Sequence, residues 1–201
     1  NGVEAQVALD NNKQAGKAIL YFGTLVRKKG VLELPKIMKK IWALDPEVKL
    51  HLAGSDAKDW KTQSSTWSLM KGQWSETELS MVEYHGKLNA KSLEGLMNQV
   101  SAAVFPSQAE AFPMAWLECL AKGLPMVGSD KPWARELIES GSNGFLVADS
   151  NHEAYAKHLI DIIKNQGLRQ QLIEKGKESV QAFALEPWIQ SNETFYIKLL
   201  S

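Results

Sequence analysis

Short apolar runs alternate along the chain with longer segments in which apolar residues recur every three or four positions. Continuous apolar runs that end in Gly or Pro are typical of strands buried on both faces, and the longer period is typical of helices that bury one side. We therefore predict an α/β fold with a doubly wound, mostly parallel sheet of about six strands. The predicted strands are Ala18–Phe22, Val48–Ala53, Val82–His85, Ala102–Phe105, Pro125–Gly128 and Phe145–Val147.

Helical periods fill the connections between strands and the C-terminal part of the chain. The predicted helices are Leu32–Leu44, Leu93–Val100, Met114–Ala121, Ala154–Lys164, Leu168–Phe183 and Pro187–Leu200. The polar segment Asn1–Lys17 is predicted to be an interdomain linker, so the domain would occupy residues 18–201. The chain begins at Asn1 without an initiator Met, which suggests that it is a piece of a longer protein.

The segment Asp56–Ser80 contains three tryptophans spaced seven residues apart, Trp60, Trp67 and Trp74. This spacing would place them near one face of a helix. Gly72 interrupts that helix, and Ser75-x-x-Glu78 is predicted to start another as a capping box. Core packing is the commoner role for such aromatic residues, and a docking surface is the alternative.

Charge and cysteine content narrow the possible functions. The chain has 201 residues with 23 Lys plus Arg and 23 Asp plus Glu, so its formal net charge is zero. This balance argues against nucleic-acid binding through a broad basic surface. The single cysteine, Cys119, excludes an intramolecular disulfide and a cysteine zinc cluster. Because no apolar run has the length of a membrane span and no signal peptide is recognisable, we expect a cytoplasmic location.

The first loop with recognisable chemistry follows the strand Ala18–Phe22. It runs from Gly23 to Gly30 and contains Arg27, Lys28 and Lys29 just before a predicted helix. Cations beside free helix N–H groups favour an anion such as a phosphate, although the Gly-x4-Gly-Lys-Ser/Thr pattern of a P-loop is absent. The alternative is a set of solvated loop cations.

The second loop follows the strand Ala102–Phe105 and places Glu110 just before a helix that Pro113 is expected to open. The N–H groups of Met114, Ala115 and Trp116 would then be free to face an anion. Ligands of open doubly wound sheets bind beyond the carboxyl ends of the strands, where both loops lie.

Glu118 stands out because it lies on the second turn of that helix within the apolar stretch Trp116–Leu120. A carboxylate in such surroundings needs a partner, since an unpaired buried charge is costly. A ribose diol is one candidate partner. A lysine or a backbone N–H is the other.

Taken together, these segments resemble the C-terminal domain of the glycosyl transferases group 1 family, which are retaining glycosyltransferases of GT-B fold. The similarity extends over nearly the whole chain and rests on blocks in the family's order. These blocks are Asn1–Glu4, the loop Gly23–Gly30, Gly86, Phe105–Ser107, the Glu-x7-Glu pair Glu110 and Glu118 with Leu120–Val127 after it, Ala134–Leu137 and Gly141–Gly144.

The resemblance implies a nucleotide diphosphate-sugar donor, bound without a cofactor or metal, and transfer of its sugar to an acceptor hydroxyl. Lys29 would hold the diphosphate, Glu110 would face the sugar and Glu118 would accept bonds from the ribose. The remaining implied donor contacts are the loop residues Gly23 and Thr24, the N–H groups of Phe112, Met114 and Ala115, and the base-pocket residues Lys87 and Leu88. The acceptor, for which a lipid-linked or surface glycan at the inner face of the membrane is a candidate, would meet the donor across a cleft formed with an N-terminal domain.

One position departs from the family pattern. The diphosphate-binding Arg that follows the first glycine in the family is Thr24 here, and the nearby cations Arg27 and Lys28 do not align with it. An inactive nucleotide-binding module is therefore one alternative, and an epimerase or phosphorylase of the same fold is another. No Asp-x-Asp motif, which holds a metal in some transferases, occurs in the sequence.

Overall fold

The computed structural model describes residues 16–183. Its strands are β1 (Ala18–Phe22), β2 (Lys49–Ala53), β3 (Val82–Tyr84), β4 (Ala102–Phe105), β5 (Met126–Ser129) and β6 (Phe145–Val147). Its α-helices are α1 (Leu34–Leu44), α2 (Thr66–Lys71), α3 (Glu76–Leu79), α4 (Ala90–Met97), α5 (Met114–Lys122), α6 (His152–Lys164) and α7 (Gln166–Val180). Short 3₁₀ turns cover Arg27–Lys29, Val31–Glu33, Ala134–Glu136 and Gln181–Phe183.

The six strands form one sheet in the order β3-β2-β1-β4-β5-β6, and every neighbouring pair is parallel. The chain moves outward from β1 to β3, then crosses back to β4 on the other side of β1. The predicted doubly wound α/β fold is confirmed. The order places a topological switch point between β1 and β4.

Burial explains why the central strands were recognisable as continuous apolar runs. All residues of β1, β4 and β5 are buried, as expected for parallel strands covered on both faces. Helices flank the sheet, with α1 packed against α6 and α5 against α7. At Gly128 the ring of Trp116 lies so near the strand that an added Cβ would come within 2.4 Å of it. A glycine is thus required where α5 meets β5.

Helix ends follow local capping chemistry that the periodic pattern did not include. The predicted helix Leu93–Val100 is the helix Ala90–Met97, because the Asn89 side chain accepts a hydrogen bond from Ser92 N and caps the helix three residues earlier. The capping box of Ser75 and Glu78 is confirmed, with both reciprocal bonds present. The predicted helix Pro187–Leu200 and most of the predicted linker, residues 1–15, lie outside the described residues.

The three tryptophans do not share one helix, so that prediction is wrong. Trp67 lies on α2, which ends before Gly72, while Trp74 lies beyond its end and Trp60 precedes its start. Trp74 is buried and its ring centroid is 6.2 Å from that of Trp67, so these two residues pack as expected of core aromatics. Trp60 is instead 70% exposed.

None of the helices between residues 16 and 183 combines the length and the apolar character needed to cross a membrane.

Candidate functional site

The loops that follow β1 and β4 lie side by side at the switch point of the sheet. Their strands are neighbours, and both loops emerge at the carboxyl edge. In open α/β sheets this crevice is where ligands bind. The two loops selected from the sequence, Gly23–Gly30 and Pro106–Pro113, therefore come together.

Main-chain contacts join the two loops. Lys28 O accepts a hydrogen bond of 2.9 Å from Gln108 N and a longer one of 3.3 Å from Ala109 N. Gly30 has a left-handed φ of 68°, and a Cβ there would lie 1.6 Å from Pro106 O. Only glycine permits this approach, so the loops form one connected wall of the crevice.

Lys29 of the first loop and Glu110 of the second loop form an ion pair within that wall. Lys29 Nζ lies 3.3 Å from Glu110 Oε1, and the two side chains are only 26% and 12% exposed. Ser107 Oγ donates to the same carboxylate oxygen at 3.2 Å. Within residues 16–183 the second oxygen, Oε2, has no hydrogen-bond donor. The pair therefore presents a cation and a free carboxylate oxygen side by side.

Gly23 lies beside the Lys29 ammonium. Gly23 has a φ of 136°, and a Cβ at this position would lie 3.6 Å from Lys29 Nζ and 3.4 Å from the Tyr21 hydroxyl. That hydroxyl donates to Thr24 O at 3.1 Å. Burial, and then the charge of Glu110, raise the pKa of Tyr21, so it stays a neutral donor that fixes the loop. Thr24 itself is exposed.

Thr24 stands at the position of the family's diphosphate-binding arginine, and Arg27 does not take over that role. Its guanidinium forms a two-pronged ion pair with Asp59, with Nε–Oδ1 and Nη2–Oδ2 distances of 2.7 and 2.8 Å. Thr62 donates from its N–H and its hydroxyl to Oδ2 of the same carboxylate, each at 3.0 Å. These bonds, with Arg27 first, hold the pKa of Asp59 well below its usual range. Arg27 therefore ties the loop to the segment after β2.

The start of α5 differs from the sequence prediction. Pro113, with φ −83° and ψ 76°, is the N-cap and the centre of an inverse γ-turn, not the first helical residue. Met114 N consequently donates to Phe112 O at 3.0 Å, and Trp116 N donates to Pro113 O at 2.9 Å. The prediction that the Met114 and Trp116 N–H groups would be free is wrong. In the described part of the chain, the N–H groups of Phe112 and Ala115 have no acceptor.

Glu118 lies on the second turn of α5 and is half-buried. Burial raises the pKa of its carboxyl group, and the charge of Lys122 opposes this only in part. Lys122 is itself paired with Glu94, with a 2.8 Å distance between Nζ and Oε2. Among the described residues Glu118 has neither a hydrogen bond nor an ion pair, so a lysine is not its dedicated partner.

Lys87 and Leu88 follow β3, which is the edge strand of the sheet. Lys87 is exposed, whereas Leu88 is partly buried against the core. Gly86, with a left-handed φ of 64°, precedes them and accepts a hydrogen bond from Gly54 N at 2.7 Å. The loops after β2 and β3 are thus joined at the same carboxyl edge of the sheet as the crevice.

Sequence reasoning missed the residues that support the crevice from a distance. Asp59 is 32 residues from Arg27, and no local pattern pairs them. Ser107 was noticed only within a motif, although Ser107 and Glu110 are three residues apart, a spacing at which side chains in a turn meet. Tyr21 lies within an apolar strand, and its hydroxyl group is the only sequence feature that sets it apart from the neighbouring strand residues.

A doubly wound parallel sheet with a cation–carboxylate pair and free N–H groups at its switch point defines an α/β domain suited to a phosphorylated ligand. The family model of the glycosyl transferases group 1 matches residues 6–179. The chain belongs to this family, and its domain is the Rossmann-like half of a GT-B fold.

Individual relatives agree with the family assignment. An uncharacterised glycosyltransferase of Haemophilus influenzae is 27% identical over 90% of this chain and 50% of its own length. The capsular polysaccharide biosynthesis glycosyltransferase CapM of Staphylococcus aureus is 24% identical over 90% of this chain and 48% of its own. The crystal structure of Anabaena HepE in complex with UDP and glucose superposes with a TM-score of 0.75 at 20% identity, covering 92% of this chain and 48% of that one. The chain thus spans half or less of the length of these proteins.

Proposed function

We propose that the chain is the donor-binding half of a glycosyltransferase that moves a hexose from a nucleotide diphosphate-sugar to an acceptor hydroxyl. The observation that carries this proposal is the pair formed by Lys29 and Glu110 at the switch point, beside the start of α5. Glu118, the second glutamate of the family's Glu-x7-Glu pattern, lies on α5.

Each group has a role that follows from charge. Negative charge builds up on the diphosphate as it leaves, and the Lys29 ammonium and the free N–H groups of Phe112 and Ala115 would stabilise that charge. Glu110, whose Oε2 has no hydrogen-bond donor within residues 16–183, would accept hydrogen bonds from hydroxyl groups of the sugar. Glu118 would accept hydrogen bonds from the ribose hydroxyls. Retention of configuration is proposed on the family resemblance alone.

The Lys29 ammonium and the N–H groups of Phe112 and Ala115 would stabilise the negative charge that a bound metal ion stabilises in other transferases. The sequence has no Asp-x-Asp motif. The nucleotide bound to HepE supports the choice of donor, and the name of CapM supports a glycan acceptor, lipid-linked or at the cell surface. The acceptor would be held largely by an N-terminal domain, so the 201-residue chain alone is expected to bind donor without transferring sugar.

A thermal-shift screen of UDP, GDP and ADP and their sugar conjugates, with and without EDTA, tests the proposal. A ligand that binds only the folded protein raises its apparent stability by mass action. At least one nucleotide diphosphate should raise the melting temperature, and its affinity should agree within about twofold in EDTA, a difference of only ~0.4 kcal/mol. No shift with any nucleotide, or loss of the shift in EDTA, would contradict the proposal.

An inactive nucleotide-binding module is the second candidate. It is favoured by Thr24 at the position of the family arginine and by the commitment of Arg27 to Asp59. Such a module would bind the nucleotide but would not turn it over. Release of nucleotide diphosphate from the nucleotide-sugar by the full-length protein with acceptor distinguishes the two, since only the transferase releases it.

A further inference from the structure

Three potential metal ligands converge on the outer strands of the sheet. His51 lies on β2, Glu83 is its register partner on β3, and His85 directly follows β3. Because side chains two apart on a strand share a face, Glu83 and His85 point to the same side of the sheet as His51. The topology therefore brings two imidazoles and one carboxylate together from two strands.

The distances between the ligand atoms are near those around a bound ion. His51 Nδ1 is 3.0 Å from His85 Nε2 and 3.5 Å from Glu83 Oε2, and His85 Nε2 is 4.0 Å from Glu83 Oε2. A point equidistant from these three atoms lies about 2.1 Å from each, which is close to the Zn–N and Zn–O bond lengths. Small side-chain rotations would bring the three separations to the ~3.4 Å expected between ligand atoms of a tetrahedral zinc site.

His51 Nδ1 and His85 Nε2 lie within hydrogen-bonding distance of each other, and a bound ion would take the place of the proton between them. Lys49 Nζ lies 3.4 Å from the other oxygen of Glu83, Oε1, and so leaves Oε2 to face the histidines. The side chains of His51, His85 and Glu83 are 9%, 27% and 47% exposed. One ligand is thus held firmly in the fold, and the other two give access from solvent.

We propose that His51, Glu83 and His85 form a binding site for a divalent transition-metal ion of the zinc type. Two histidines and one carboxylate are a ligand set that suits zinc and not magnesium. Three protein ligands leave a fourth position for water. The three ligands lie on or directly after the outer strands β2 and β3 and are not among the residues assigned to the donor, so the proposal does not rest on the proposed function.

Calorimetric titration of the metal-stripped 201-residue chain with zinc chloride tests the site. We expect one zinc ion per chain, and magnesium chloride in place of zinc should give no saturable heat. His85→Ala and Glu83→Gln, which alter exposed residues and should fold, are each expected to weaken zinc binding at least about tenfold. His158→Ala is the matched control, because His158 is also a partly buried histidine but stacks on Phe145 outside the cluster.

Cobalt provides an independent readout. Cobalt(II) bound by two imidazoles and a carboxylate in a four-coordinate site has visible absorption bands, which should appear in the wild-type chain and in His158→Ala and be lost in His85→Ala. Absence of saturable zinc binding would overturn the proposal. So would zinc affinities of His85→Ala and Glu83→Gln equal to that of the wild type.

Discussion

Lys29 and Glu110 are paired across the switch point, with Nζ and Oε1 3.3 Å apart. The positive charge of Lys29 is thus balanced by the carboxylate of Glu110. A diphosphate would compete with Glu110 for this cation, whereas a nucleotide-sugar would supply the carboxylate with hydroxyl groups of its own. The two residues should therefore respond differently to plain and sugar-linked nucleotides.

Replacing each residue of the pair separates these roles. Lys29→Ala should weaken nucleoside diphosphate binding roughly tenfold or more, because a charge-assisted hydrogen bond contributes about 1.5–3 kcal/mol. Glu110→Ala should leave plain diphosphate binding unchanged or stronger, since it releases Lys29, but should weaken binding of the nucleotide-sugar. Calorimetry with both ligands measures this, with Lys28→Ala as the control from the same loop. Equal loss of plain diphosphate in Glu110→Ala and Lys29→Ala would refute the assignment.

Glu118 is expected to limit stability while it serves binding. Burial raises the pKa of Glu118, so ionising it in the folded state is unfavourable and lowers stability at pH values above that raised pKa. Glu118→Gln should therefore keep or raise the melting temperature at pH 7, and the difference should shrink as the pH falls and the wild-type carboxyl group becomes protonated.

The same substitution should weaken nucleoside diphosphate binding, and Glu118→Ala should weaken it about tenfold or more. Thermal unfolding and calorimetry on each variant give the two values. Glu153→Gln, at an exposed surface pair with Lys40, should change neither. A loss of melting temperature in Glu118→Gln with intact nucleotide binding would mean that Glu118 is a structural residue.

Gly30 is expected to tolerate no side chain. Its left-handed φ of 68° and the 1.6 Å separation between a Cβ and Pro106 O both oppose alanine. Gly30→Ala should lower the free energy of unfolding by at least about 1–3 kcal/mol and loosen the crevice. Gly95→Ala is the control, because Gly95 lies on α4 with nothing within 4 Å of a Cβ, and alanine there should stabilise by roughly 0.5–1 kcal/mol. Urea unfolding of the two variants should show opposite signs.

The pair formed by Arg27 and Asp59 should give the fold a distinct acid sensitivity. The pKa of Asp59 is lowered in the folded chain, first by Arg27 and then by Thr62. Its stabilisation is therefore complete above the ordinary Asp pKa of about 3.9 and is lost as the pH falls toward the lowered value. Asp59→Asn should lower the melting temperature at pH 7, with a smaller difference at pH 3. Asp161→Asn, at an exposed pair with Lys157, should change little at either pH.

Features set by neighbouring residues could be predicted from the sequence, and features set by distant contacts could not. The buried strands and the loops at their carboxyl ends followed from short apolar runs and were confirmed. The γ-turn at Pro113 could not be predicted from the sequence. Proline has no N–H, and this property suits an N-cap as well as a first helical residue. The partner of Arg27 was missed because Asp59 reaches it only through the fold. The seven-residue spacing of Trp60 and Trp67 wrongly predicted one helix, because Trp60 lies in a turn before α2 begins.

The bonds between the two crevice loops have a consequence for how such chains can diverge. Gln108 and Ala109 donate from the main chain to the main-chain oxygen of Lys28, so these bonds do not depend on which side chains the loops carry. Side chains facing the ligand can therefore be exchanged without disturbing the junction. An insertion or deletion in either loop would shift the donors past their acceptor. Apart from Gly30 and the pair formed by Lys29 and Glu110, we expect related chains to vary in residue identity along both loops while conserving loop length.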